Sequence, residues 1–136
     1  MRFLLDTDMC IYLIKGKPQE ALLRLQAQRI SDVGISAITL SELEYGVAKS
    51  SRPAQNKMAL VEFVAPLEIA AFDDEAAAMY GRIRASLEAL GESIGPLDTL
   101  IAAHAISRRC VLVTNNQREF SRVPGLMTEN WISSSL

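Results

Sequence analysis

The sequence predicts a three-layer α/β/α fold: a mainly parallel central sheet of about five strands, with helices on both faces. Two observations carry that expectation. Short, wholly apolar runs alternate with longer helical patterns along the chain. Strands without polar alternation belong in a sheet covered on both sides, reached by right-handed helical crossovers. The third support is size: 136 residues, 49% apolar and 22% charged, suit one domain spanning 1–136 with a single substantial core.

The first strand is Phe3-Leu4-Leu5, followed by a helix from Met9 to Lys15 with Thr7 or Asp8 as its N-cap. A second helix is expected over Pro18–Ile30, and a second strand at Val33-Gly34-Ile35-Ser36. Leu40–Ala48 reads as a helix in which Thr39 and Glu42 have the spacing of a capping box. The net-basic stretch Lys49–Lys57, with Pro53, reads as a loop before a helix over Gln55–Val64. Leu67–Ala70 is the third strand and Asp74–Leu90 the longest helix. Gly95-Pro96 opens a nearly all-apolar helix, Leu97–Arg108. Val111–Thr114 is the most strand-like run, and Leu126-Met127-Thr128 adds a fifth strand at the edge.

Composition excludes several classes. There is no run of the roughly 18 apolar residues that a membrane helix needs, and Asp6 comes too early for a signal peptide. Cys10 and Cys110 are far apart with no Cys-x-x-Cys spacing, so they read as small buried apolar residues in a reduced cytoplasm. His104 is the only histidine, which leaves no second imidazole for a zinc site; it reads as a core or helix-packing side chain. Trp131 is expected to cover the core and tack down the C-terminal end. A net charge of −2 weighs against a nucleic-acid binder that works by bulk positive charge.

Ligands of open parallel sheets sit beyond the carboxyl ends of the strands, and acids collect there. Asp6 follows the first strand and Glu42 the second. Asp98 lies in the first turn of the apolar helix, and Asn116 and Glu119 follow the strand at Val111–Thr114. Capping and Asn-rich turns account for most of them one at a time. Their joint position on one sheet edge is not explained that way. Carboxylates sharing a cleft repel one another unless a cation neutralises them, and an all-oxygen donor set suits a hard ion such as Mg²⁺ or Mn²⁺. Such a site suits phosphodiester hydrolysis.

Four motifs then converge on a family. Leu4-Leu5-Asp6-Thr7-Asp8, Thr39-Leu40-Ser41-Glu42-Leu43, Gly95-Pro96-Leu97-Asp98 with Ile101-Ala102, and Val113-Thr114-Asn115-Asn116 through Arg118-Glu119-Phe120 resemble the PIN-domain ribonucleases, in order and at family-like spacing. More narrowly, the chain resembles the VapC toxins of toxin–antitoxin pairs. The resemblance implies a PIN-like fold and a Mg²⁺- or Mn²⁺-dependent endoribonuclease acting on structured RNA, often tRNA. It implies Asp6, Glu42 and Asp98 as metal ligands and catalytic residues. The fourth acid of many members falls on Asn116, an amide, so either Asn116 ligates or Glu119, three residues on, substitutes. A homodimer and a VapB-type antitoxin whose Arg plugs the cleft are also implied, as is a higher assembly that binds operator DNA through the antitoxin.

Candidate RNA contacts are Lys49 and Arg52 with Lys57 in the basic stretch, and Arg118 with Arg108, Arg109 and Arg122. Leu22, Leu25, Leu60 and Phe63 suit a dimer or antitoxin surface as readily as core. A non-catalytic PIN-like binding module is the alternative. The Leu4–Asp8 motif also resembles the opening of haloacid-dehalogenase-like phosphatases, and receiver domains too place acids at strand ends. Both need a Lys after a later strand, whereas the lysines here are Lys15, Lys17, Lys49 and Lys57.

Overall fold

A computed structural model describes residues 1–132. Its strands are β1 (Phe3–Leu5), β2 (Val33–Ser36), β3 (Glu68–Ala70), β4 (Val111–Val113) and β5 (Thr128–Glu129). They form one sheet in the order β3-β2-β1-β4-β5, every pair parallel. Its helices are α1 (Thr7–Lys15), α2 (Gln19–Gln26), α3 (Ala37–Ala48), α4 (Pro53–Val64), α5 (Asp74–Ala89), α6 (Pro96–Ser107) and α7 (Gln117–Phe120), with a 3₁₀ turn at Ile30–Asp32. The three-layer expectation therefore holds.

Alternation along the strands divides the interior into two layers. Phe3 and Leu5 of β1, with Val33 and Ile35 of β2, face a cluster built by α1, Ala21, Leu43, Leu60 and Trp131. Leu4 and Leu112 point the other way, onto Ile83 and Leu87 of α5 and the apolar face of α6. β1 is thus buried on both sides, which is why its three residues carry no polar side chain. Gly34 lies where β2 passes β3: a Cβ there would sit 2.7 Å from the Glu68 carbonyl oxygen, so no side chain fits.

Several boundaries differ from the sequence reading. The expected second helix, Pro18–Ile30, stops at Gln26, because the chain must reverse within a few residues to lay β2 beside β1. The Asp32 carbonyl accepts Arg2 N–H at 2.8 Å at that turn. The basic loop is shorter than expected, since Pro53 starts α4, and Lys57 on that helix pairs with Glu44. The edge strand lies at Thr128–Glu129 rather than Leu126–Thr128. Leu60 is core, and Leu22, Leu25 and Phe63 pack partly buried against the same cluster.

Trp131 behaves as expected. It is 1% exposed, meets Phe3 edge-on at 5.6 Å and donates from Nε1 to Glu129 Oε1 at 2.9 Å. Cys10 and Cys110 are free and buried. His104 is buried in α6 with Nδ1 2.7 Å from Ser36 Oγ, tying α6 to the start of α3, while Nε2 has no hydrogen-bond partner among the described residues. Burial holds its pKa below the ordinary value. No helix among the described residues is long and apolar enough to cross a membrane.

Candidate active site

From β1 the chain winds outward one way through β2 and β3, and the later strands β4 and β5 lie on the other side. The switch point is between β1 and β4, and Asp6 comes directly after β1 at that point. Asp6 N–H extends the ladder to the Val113 carbonyl at 3.0 Å. Its side chain then caps α1, accepting Met9 N–H at 2.8 Å. Capping was expected of Thr7 or Asp8. Asp6 takes that role because it is the last extended residue before the helix, and Thr7 and Asp8 already lie within α1.

That displacement frees Thr7 for another task. Its hydroxyl donates to Glu42 Oε1 at 2.5 Å, joining α1 to α3. The capping box is likewise not formed. Ser36 caps α3 by accepting Ile38 N–H at 3.0 Å, which places Thr39 and Glu42 inside the helix and turns Glu42 toward Thr7.

Asp98 stands in the first turn of α6, after the N-cap Gly95 and Pro96. Glu119 reaches it from α7, a short helix where the sequence allows either an Asn-rich turn or side chains reaching inward. Both Glu119 oxygens are held: Oε1 accepts Gly95 N–H at 3.3 Å, and Oε2 accepts Asn116 Nδ2 at 2.5 Å. Asn116 is exposed and turned toward Glu119, and its own N–H donates to Thr114 Oγ1 at 2.9 Å. Of the two residues left open for the fourth position, Glu119 is the one that faces Asp98.

The electrostatics reflect this crowding. Asp6 is 5% exposed, and burial pushes its carboxyl from 3.8 to about 6, against hydrogen bonds from Thr114 and Met9 that favour the charge. Asp98 rises to about 7 through burial first, then the adjacent Glu119, with Asp6 and Glu42 adding repulsion. Acids from four separate segments therefore feel one another. Among the described residues no three Asp, Glu, His or Cys side chains converge tightly enough to cage an ion. The donors are nevertheless all oxygen, and burial, with repulsion between the acids added to it, raises two of them toward neutral pH. That donor chemistry fits a hard divalent cation, which would draw the carboxylates together and lower both values.

The expected RNA contacts separate. Lys49 ends α3 with its Nζ 4.9 Å from the Tyr45 ring centroid, and Arg52 is exposed at the start of α4. Arg118 is exposed on α7 beside Glu119. Arg108 pairs with Glu68 at 2.8 Å, and it and Arg109 precede β4, at the opposite end of the sheet from the acids. Sequence reasoning gave Thr7 only as a cap and did not single out Thr114. A hydroxyl within two residues of each strand's end was the available signal.

Comparison with known proteins gives a consistent picture. A family model described as "PIN domain" matches residues 3–126. The tRNA(fMet)-specific endonuclease VapC of Salmonella typhimurium is 45% identical over 131 residues, covering 96% of this chain and 98% of that protein. Ribonuclease VapC2 of Rickettsia felis is 42% identical over 132 residues, covering 96% and 98%. DNA-bound VapBC from Salmonella typhimurium superposes with a TM-score of 0.93 at 45% identity, over 97% of this chain and 99% of that one. VapBC2 from Rickettsia felis, bound to a promoter fragment, gives 0.89 at 40% identity, over 97% and 100%.

Proposed function

Because the chain belongs to the PIN-domain family, and within it to the VapC ribonucleases of VapBC toxin–antitoxin pairs, we propose that it is a divalent-metal-dependent endoribonuclease that hydrolyses a phosphodiester bond in tRNA. The observation that carries this reading is the approach of Asp6, Glu42, Asp98 and Glu119 at the switch point of the sheet, near enough that Glu119, Asp6 and Glu42 each raise the Asp98 carboxyl.

Asp6, Glu42 and Asp98 would hold Mg²⁺ or Mn²⁺. When bound, such an ion supplies an activated water and neutralises charge on the phosphoryl oxygens. The protein's own groups do the rest. Thr7 keeps Glu42 Oε1 aimed at the cleft, and Thr114 does the same for Asp6. Glu119 is the fourth acid, beside Asp98, and Asn116 its positioning residue, since the amide donates to Glu119 Oε2. Lys49, Arg52 and Arg118 are charges available to RNA phosphates on the flanks.

The substrate class rests on the Salmonella relative, a tRNA(fMet)-specific endonuclease. The partner is a VapB-type antitoxin, which presents operator DNA to the assembly, as the DNA-bound VapBC relatives suggest. An acidic cleft suits a basic side chain from that partner. A homodimer working in the cytoplasm completes the reading, in keeping with the buried free thiols. The test is digestion of tRNA by purified protein with Mn²⁺, with EDTA, and as the Asp6→Asn variant. Cleavage only in the first sample supports the proposal; equal cleavage in all three refutes it.

A further inference from the structure

A groove of about 720 Å³ opens directly beside the acids, sharing Thr7 and Glu42 with them. Its outer part is of a different character. Tyr45 stands there 66% exposed, with Leu97 at 44% and Ile11 at 36% beside it. A single exposed aromatic needs no explanation, but an apolar patch continuous with a polar cleft marks a binding surface. Lys49 closes the far end, its ammonium over the Tyr45 ring.

We propose that Tyr45 and Lys49 form a nucleotide subsite, Tyr45 stacking on the base next to the scissile phosphate and Lys49 gripping the phosphate beyond it. The proposal rests on the reading that the chain cleaves RNA, and it adds the means by which the strand is held. Glu42, Tyr45 and Lys49 lie along one side of α3 at positions i, i+3 and i+7. At the helical rise, Tyr45 is about 4.5 Å and Lys49 about 10 Å further along the axis than Glu42. A strand whose reacting phosphate sits at the acids therefore passes a base over the ring, displacing the ammonium that rests there, and brings the next phosphate to that ammonium. Every base has a π-face, so the platform accepts an unstacked nucleotide of any identity, with Leu97 and Ile11 as apolar walls. An antitoxin peptide is the competing occupant. The cation at the outer end favours the polyanion.

The test measures binding of labelled tRNA(fMet) by fluorescence anisotropy in EDTA, and cleavage kinetics in Mn²⁺, for the full chain and its variants. Tyr45→Ala should raise both Kd and KM by about 5- to 100-fold with little change in kcat, while Tyr45→Phe stays within about twofold of the parent. Lys49→Ala should lower the slope of log Kd against log salt by about one. Thermal melts matching the parent would separate these effects from folding, since Tyr45 is largely in solvent. Unchanged Kd and KM in Tyr45→Ala would overturn the proposal. So would a loss confined to binding of a VapB-type antitoxin. Tyr45-dependent binding by a parent protein that cuts no RNA would support the subsite while refuting the proposed chemistry.

Discussion

Asp6→Asn should make the protein inactive and, above neutral pH, more stable. The carboxyl is 5% exposed and its pKa stands near 6 rather than 3.8, chiefly because burial disfavours the charge. The folded state therefore binds the proton more tightly than the unfolded chain does. Stability from this group is complete below about pH 4 and is lost as pH rises through about 6. At about 1.4 kcal/mol per pH unit, the ionised form costs about 3 kcal/mol. An amide removes that cost and keeps the cap on Met9, since Asn and Asp cap equally well. It satisfies the Thr114 hydroxyl less well, a loss of about 1 kcal/mol. The net is a gain of about 1–2 kcal/mol at pH 8 in EDTA, or roughly 3–10 °C in Tm. At pH 4 the sign reverses, leaving only the weakened hydrogen bond. Thermal melts of both proteins in EDTA at the two pH values measure this crossover. A variant that melts at or below the parent at pH 8 would show that Asp6 ionisation carries no such cost.

The same geometry sets three other outcomes. Apparent Mn²⁺ affinity should rise at least about tenfold between pH 6 and 8, because Asp6 and Asp98 shed protons near 6 and 7; titration calorimetry reads it, and a flat profile counts against both as ligands. Asn116→Ala should weaken Mn²⁺ binding by about 10- to 100-fold without unfolding the protein, as removal of a residue that orients a ligand does. An unaffected Kd would mean Glu119 needs no such support. Gly34→Ala should destabilise by more than about 1 kcal/mol in urea titration, since the added Cβ meets the Glu68 carbonyl oxygen at 2.7 Å and forces β2 and β3 apart.

The fold was legible because its signals are local. Runs such as Phe3–Leu5 and Val111–Val113 are apolar throughout, and only a strand covered on both faces tolerates that. The boundaries that slipped were set by non-local demands. The second helix ends early because β2 must enter beside β1. The four-residue α7 has no apolar period of its own and shows only in the burial of Phe120.

The site divides the same way. Asp6 and Glu42 stood out because parallel strands deliver the residues beyond their carboxyl ends to one edge, and Asp98 because the helix that leads back into β4 starts at that same edge, both properties of element order. Which hydroxyl serves which carboxylate was not legible. Thr7 and Thr39 have similar capping chemistry in the sequence, and only the packing of α1 against α3 decides that Thr7 meets Glu42 while Ser36 caps α3. That Glu119 lies beside Asp98 was not legible for the same reason. Three residues apart at a short helix, Asn116 and Glu119 share a face, and it took the position of Gly95 N–H from another element to hold Glu119 toward Asp98. Sequence alone determined the fold class and the sheet edge toward which these acids lie, because periodicity and element order are written along the chain. Tertiary structure alone decided how those acids are aimed, because hydrogen bonds between elements depend on distances that no spacing in sequence records.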